Sequence, residues 1–142
     1  MGPMTIGAAK ANRIDGPYER VSDPIFSVDT GGEIEDPFVW QGEDGVYHMI
    51  AKDMTGKICG EKHAGMYANS NNGLKWDIVQ GHKAYSRHVV WENGVSQVMG
   101  SFERPFLLIE NGKATCLFAA TGMGPGGFSR NSITWNMSVP LG

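Results

Sequence analysis

A short pattern of an acid, a variable residue, proline, phenylalanine and two apolar residues occurs twice in this chain of 142 residues. It begins at Glu35 and again, 68 positions later, at Glu103. Each copy is followed by a short polar turn and a second run of β-forming residues, so each predicts a hairpin with an acid at its entrance. Self-similarity at one long spacing is typical of stacked units that bury their apolar faces against one another. The chain is therefore predicted to consist of repeats.

The composition favours strands over helices. Glycine accounts for 20 of the 142 residues, and no long apolar pattern follows the period of a helix. Both features are typical of short strands joined by tight turns, so we predict an all-β fold. The hydrophobic content of 41% is enough to form the core of one domain.

The net charge and the apolar runs narrow the range of partners. A formal net charge of −3 provides no basic surface for a phosphate backbone, so nucleic acid is not an expected partner. No apolar run approaches the roughly 18 residues that span a bilayer, and the first ten residues do not resemble a signal peptide. We therefore expect a soluble chain with no membrane partner, in a compartment that the sequence does not indicate.

The hairpin pattern predicts a single partial domain over residues 1–142. Residues 5–27 predict an outer hairpin, residues 33–80 a full unit, and residues 100–139 most of a further unit. Units of four strands are typical of β-propeller blades, so we predict a β-propeller-type fragment of about two four-stranded antiparallel blades. Because a propeller ring usually needs four or more blades, we expect the chain to form a homo-oligomer or to be completed by missing blades of a longer chain.

Two segments between the predicted strands are interpreted as connections. Residues 52–63 are polar and contain two glycines, which predicts a long loop. Residues 80–99 are interpreted as a linker with a turn near Asn93.

The acid steps resemble those of a known group of enzymes. Asp36 followed by Pro37, and Glu103 followed two residues later by Pro105, resemble motifs of the five-bladed β-propeller glycosidases, which include glycoside hydrolase families 43, 32, 62 and 68. The turn that ends at Trp76 resembles a turn common in that group. The resemblance implies three carboxylates around a central funnel, of which Asp36 corresponds to the acid-tuning aspartate and Glu103 to the general acid. The base or nucleophile of the family has no counterpart before Glu35.

This resemblance implies hydrolysis of a glycosidic bond, with carbohydrate as the ligand. Such cleavage requires one carboxylic acid to protonate the leaving oxygen and a second carboxylate to activate water or attack carbon. Glu103 and Asp36 are therefore the candidate catalytic residues of an incomplete site. The candidate substrate-binding residues are Glu35, Arg104, His63 and Trp91.

Structural roles remain open for the same residues. The acids could form ion pairs with Arg104 and Lys52 that only stabilise the fold. The chain would then be a non-catalytic carbohydrate-binding or self-assembling module. We expect no cofactor and no metal site, because the four histidines are scattered and the cysteines, Cys59 and Cys116, are too few for a ligand set.

Overall fold

A computed structural model of the chain describes residues 3–26, 31–124, 130 and 132–142. These ranges contain eleven β-strands and no α-helix, so the predicted all-β class is confirmed. The strands are β1 (Ala9–Lys10), β2 (Glu19–Arg20), β3 (Ile34–Gln41), β4 (Tyr47–Asp53), β5 (Gly65–Ser70), β6 (Asp77–Tyr85), β7 (His88–Val90), β8 (Ser96–Val98), β9 (Ser101–Glu110), β10 (Lys113–Met123) and β11 (Ile133–Pro140).

The strands form two larger antiparallel sheets and two small hairpins. The four-stranded sheet has the order β3-β4-β5-β6, and the three-stranded sheet has the order β11-β10-β9. β1 pairs with β2, and β7 pairs with β8. The β1–β2 hairpin lies within the region predicted as an outer hairpin, of which only residue 27 is outside the described residues.

The two sheets begin with hairpins of the same register. In the first hairpin the opposed pairs are Glu35 and Lys52, Phe38 and Ile50, and Trp40 and His48; in the second they are Glu103 and Ala120, Phe106 and Phe118, and Leu108 and Cys116. Every residue of the second set lies 68 positions after its counterpart in the first. Both hairpins also shift register directly after the acid. The repeat found in the sequence is thus present in the strand pairing.

Two hydrophobic clusters hold the sheets in place. One cluster lies between the two sheets, where Ile50 and Tyr85 of the four-stranded sheet pack against Phe102, Leu107 and Met137 of the three-stranded sheet. The other cluster covers the opposite face of the four-stranded sheet with the N-terminal segment and the loop that follows β4. The four-stranded sheet is therefore covered on both faces.

Two details differ from the predicted connections. The residues predicted as a linker contain the end of β6 and the β7–β8 hairpin, with the turn near Asn93 inside that hairpin. Lys52 and Asp53 were assigned to the long loop because they are charged, but they end β4 and are buried. The described residues contain no apolar helix of the length needed to cross a membrane.

Candidate functional site

Matching bulges in β3 and β9 position the acids. The residue after each acid, Asp36 in one strand and Arg104 in the other, has a positive φ, of 54° and 51°. A non-glycine residue rarely adopts this left-handed conformation, although aspartate tolerates it better than most. Bulges of this kind interrupt the alternation of side chains and redirect them. Because β3 and β9 are in contact, the two bulges lie side by side.

A buried lysine from β4 joins the two acids. The Lys52 side chain is almost fully buried, and its Nζ donates to Glu35 Oε1 at 2.8 Å. The same Nζ donates to Glu103 Oε1, and Arg104 Nη1 donates to Glu103 Oε2 at 3.3 Å. Because both carboxylates bind one ammonium group, their oxygens lie within about 6 Å of each other, twice the length of a hydrogen bond.

The ion pairs explain how Glu103 can be buried. Its side chain is only 5% exposed, and a buried carboxylate is stable only when it is paired and hydrogen-bonded. Lys52 and Arg104 each contact one of its two oxygens. The structural ion pairs that the sequence left open are therefore present, between Glu103 and both of the named cations.

Asp36 differs from Glu103 in its surroundings. Burial raises the pKa of the Asp36 carboxyl, while the charge of Arg104 acts in the opposite direction. Its Oδ2 is buried and has no hydrogen-bond partner among the described residues. The same holds for the hydroxyl of Tyr85, whose pKa is raised by burial and then by the charge of Asp36. Buried polar atoms without a protein partner are uncommon, and they often occur at functional sites.

We expect the raised pKa of Asp36 to affect stability. A raised pKa means that the folded protein holds this proton more tightly than the unfolded chain does, so stability should fall as the pH rises from about 4 through the folded-state pKa. Urea unfolding between pH 4 and pH 7 measures this effect. Asp36→Asn cannot ionise and should lose that part of the pH dependence, whereas Asp44→Asn, on an exposed turn, should keep the parent profile. Equal slopes for the parent and Asp36→Asn would contradict the assignment.

The remaining candidate residues separate into two groups. His63 lies in the loop after β4. Burial lowers the pKa of its imidazole, and the positive charge of Lys52 lowers it further. Trp91 lies elsewhere, because its Nε1 donates to Gln97 at 3.0 Å and its ring lines a pocket of about 540 Å³ against β11. That pocket contains none of the predicted acids. The structure thus brings Glu35, Asp36, Glu103 and Arg104 together, places His63 within electrostatic range of Lys52 and Glu103, and leaves Trp91 apart.

Two open pockets border the acid cluster. A shallow groove of about 370 Å³ lies between the bulges and is lined by Asp36, Pro37, Phe38, Arg104, Pro105 and Phe106. A pocket of about 420 Å³ on the three-stranded sheet is lined by Glu103 together with Ser101, Trp135 and Asn136. Asp36 therefore lines the groove between the bulges, and Glu103 lines the pocket on the three-stranded sheet.

The loop after β4 depends on two acids, Asp53 and Glu61, that are not among the candidate site residues. Asp53 is fully buried, and its two oxygens accept hydrogen bonds from the backbone N–H groups of Thr55, Gly56, Ile58 and Cys59 at 2.8–3.1 Å. Glu61 accepts hydrogen bonds from Ser86 Oγ at 2.7 Å and from the backbone N–H of Arg87 at 3.1 Å. For Asp53 the available signal is the alternation along β4, which places it on the same face as the core residues Met49 and Ala51.

Comparison with protein-family models, with curated proteins and with solved structures finds no match to this chain. Within the described ranges, no group of three or more histidine, cysteine or acidic side chains is arranged to hold a metal ion. The geometry of the acid cluster is therefore the feature of the chain that points to a function.

Proposed function

We propose that the chain carries part of a glycosidase-like site that binds and cleaves carbohydrate. In this proposal Glu103 is the proton donor and Asp36 adjusts its acidity, while Glu35, Arg104 and His63 contact the sugar. The observation that carries the proposal is the pair of equivalent bulges, which brings Asp36 beside the Glu35–Lys52–Glu103 chain of ion pairs.

The chemistry of the cluster supports a sugar ligand. Most glycosidases use two carboxyl groups, one of them as the proton donor, and in this proposal Glu103 fills that role while the base comes from another blade. Asp36 lines the groove between the bulges, and its buried Oδ2 is an acceptor without a protein partner. To act as the proton donor, the Glu103 carboxylate would first take up a proton and release Lys52 or Arg104, and the leaving-group oxygen would then accept that proton.

The fold that we propose for this function is a β-propeller. The four-stranded and three-stranded sheets would be successive blades, with β3 and β9 as their inner strands. Because a ring normally has four or more blades, a complete site would also use blades from a longer chain or from another copy, and these would supply the missing base.

A second candidate function is a non-catalytic carbohydrate-binding or self-assembling module. The full engagement of Glu103 favours this alternative, since Lys52 and Arg104 each contact one of its oxygens. In that case the cluster would stabilise the contact between the two sheets, and sugar would bind in the neighbouring pockets without being cleaved.

Hydrolysis of a panel of aryl glycosides distinguishes these functions. If the site is catalytic, we expect Glu103→Gln to lower turnover by about 100-fold or more, the usual effect of removing a general acid. Glu110→Gln, at the exposed end of the same strand, is the matched control and should retain the parent rate. Saturable sugar binding without turnover in the parent would support the module. If the parent shows no turnover and no sugar binding, both carbohydrate functions are contradicted and only the self-assembling module remains.

A further inference from the structure

The outer face of the three-stranded sheet exposes a row of apolar side chains. This outer face is defined by Phe106, Leu108, Cys116 and Phe118, which alternate with residues that point into the core. Phe106 is 53% exposed, Leu108 is 40% exposed and Phe118 is 38% exposed. None of the four residues is charged. Contiguous exposed apolar patches on soluble proteins usually mark interaction surfaces.

The repeat indicates what covers such a face. The counterparts of Phe106, Leu108 and Phe118 in the four-stranded sheet are Phe38, Trp40 and Ile50, at the same register positions. All three counterparts pack into the cluster between the two sheets, and Ile50 is only 5% exposed. They are covered by the inner face of the three-stranded sheet, which contributes Leu107, Leu117, Ala119 and Met137. The same face of the repeat is therefore covered in one sheet and open in the other.

We propose that the outer face docks a further unit of this same repeat, an antiparallel sheet that presents aliphatic side chains equivalent to those of Leu107, Leu117 and Met137. The interface between the two sheets of this chain is the template for the contact. The ring of Phe106 already lies 4.9 Å from that of Phe38, so a third unit would extend an existing row of aromatic contacts. The inference rests on the blade arrangement of the proposed function but not on its sugar chemistry.

A chain with one added unit tests this proposal directly. The full chain is extended at Gly142 by a flexible Gly/Ser linker of about 20 residues, which reaches about 25 Å, and by a second copy of residues 99–142. The cysteine of the added copy is replaced by serine. The measured quantity is the rate at which a thiol reagent labels Cys116, which is half-buried on the outer face, whereas Cys59 is buried in the core.

We expect Cys116 to react at least about tenfold more slowly in the extended chain than in the parent. Phe118→Asp in the original unit should restore the parent rate, because it places a charge at the centre of the contact. A matched extension, in which aspartate replaces the counterparts of Leu107 and Leu117 in the added copy, should give no protection.

Other results would overturn the proposal. Equal labelling of the parent and the extended chain would show that the added unit does not dock on this face. Protection of Cys116 in the parent that increases with protein concentration, together with a dimer in sedimentation, would identify a second copy of the whole chain as the occupant instead. Glu103→Gln in the extended chain should leave the labelling rate of Cys116 unchanged, because the contact does not depend on the sugar chemistry.

Discussion

Replacing Lys52 by methionine is expected to lower the free energy of unfolding by about 3–5 kcal/mol, the usual cost of removing one partner of a buried ion pair. The Lys52 side chain is 4% exposed and that of Glu103 is 5% exposed. Methionine fills a similar volume, so the loss arises from the charge and not from a cavity. Glu103 would keep only Arg104, whose side chain is 58% exposed.

Chemical denaturation of the parent and of the variant measures this loss. Lys83→Met is the matched control, because Lys83 pairs with Glu61 at 3.0 Å but its side chain is 40% exposed. Exposed ion pairs contribute about 1 kcal/mol or less, so this control should change little. Adding Glu103→Gln to Lys52→Met should recover part of the loss, since no unpaired buried carboxylate remains at position 103. Similar losses for the two lysine variants would contradict the central role given to Lys52.

Asp53→Asn is expected to destabilise the protein by about 3 kcal/mol or more. The Asp53 carboxylate accepts four backbone hydrogen bonds, and an amide would turn an NH2 donor towards some of these N–H groups. Each buried N–H that loses its acceptor costs about 1–3 kcal/mol. Hydrogen exchange should show the loss first in the loop that follows β4. The control is Asp44→Asn, because Asp44 accepts one backbone hydrogen bond on an exposed turn.

Because of the Asp53 carboxylate, we expect the free energy of unfolding to fall in acid. Burial by itself would raise the pKa of Asp53, but the hydrogen bonds from Cys59, Ile58, Gly56 and Thr55 outweigh burial and lower it. A lowered pKa contributes stability above the unfolded value, near pH 4, and this contribution is lost as the pH falls below it. Unfolding measured from pH 5 downward should therefore depend less on pH in Asp53→Asn than in the parent. An unchanged acid profile would contradict this role.

The sequence was sufficient to predict the repeat because the information lies within each hairpin. Glu35 to Trp40 carries its acid, its proline and its apolar residues in one strand, and the same order returns at Glu103. The two hairpins have the same register and the same bulge. Both features can be predicted from the residues of each hairpin alone.

The centre of the site could not be predicted in the same way. Lys52 and Asp53 look like the start of a polar loop, and only a partner 51 residues away shows why Lys52 is buried. The β7–β8 hairpin was missed because its strands are three residues long and mostly exposed, so they carry little alternation. Trp91 is an aromatic that could stack on sugar, but it forms a hydrogen bond within the β7–β8 hairpin, to Gln97, and lines a pocket beside β11 that contains none of the acids.

Asp36 and Arg104 occupy corresponding positions with nearly the same backbone angle, yet they carry opposite charges. The hairpin geometry thus accepts a side chain of either charge at this bulge position. The side chain must tolerate a left-handed backbone, which disfavours the β-branched residues. The charge at this position can therefore differ while the strand pairing stays the same. A library restricted to Asp, Asn, Arg and Gly at these two positions would vary the electrostatic preference of the groove within one unchanged architecture.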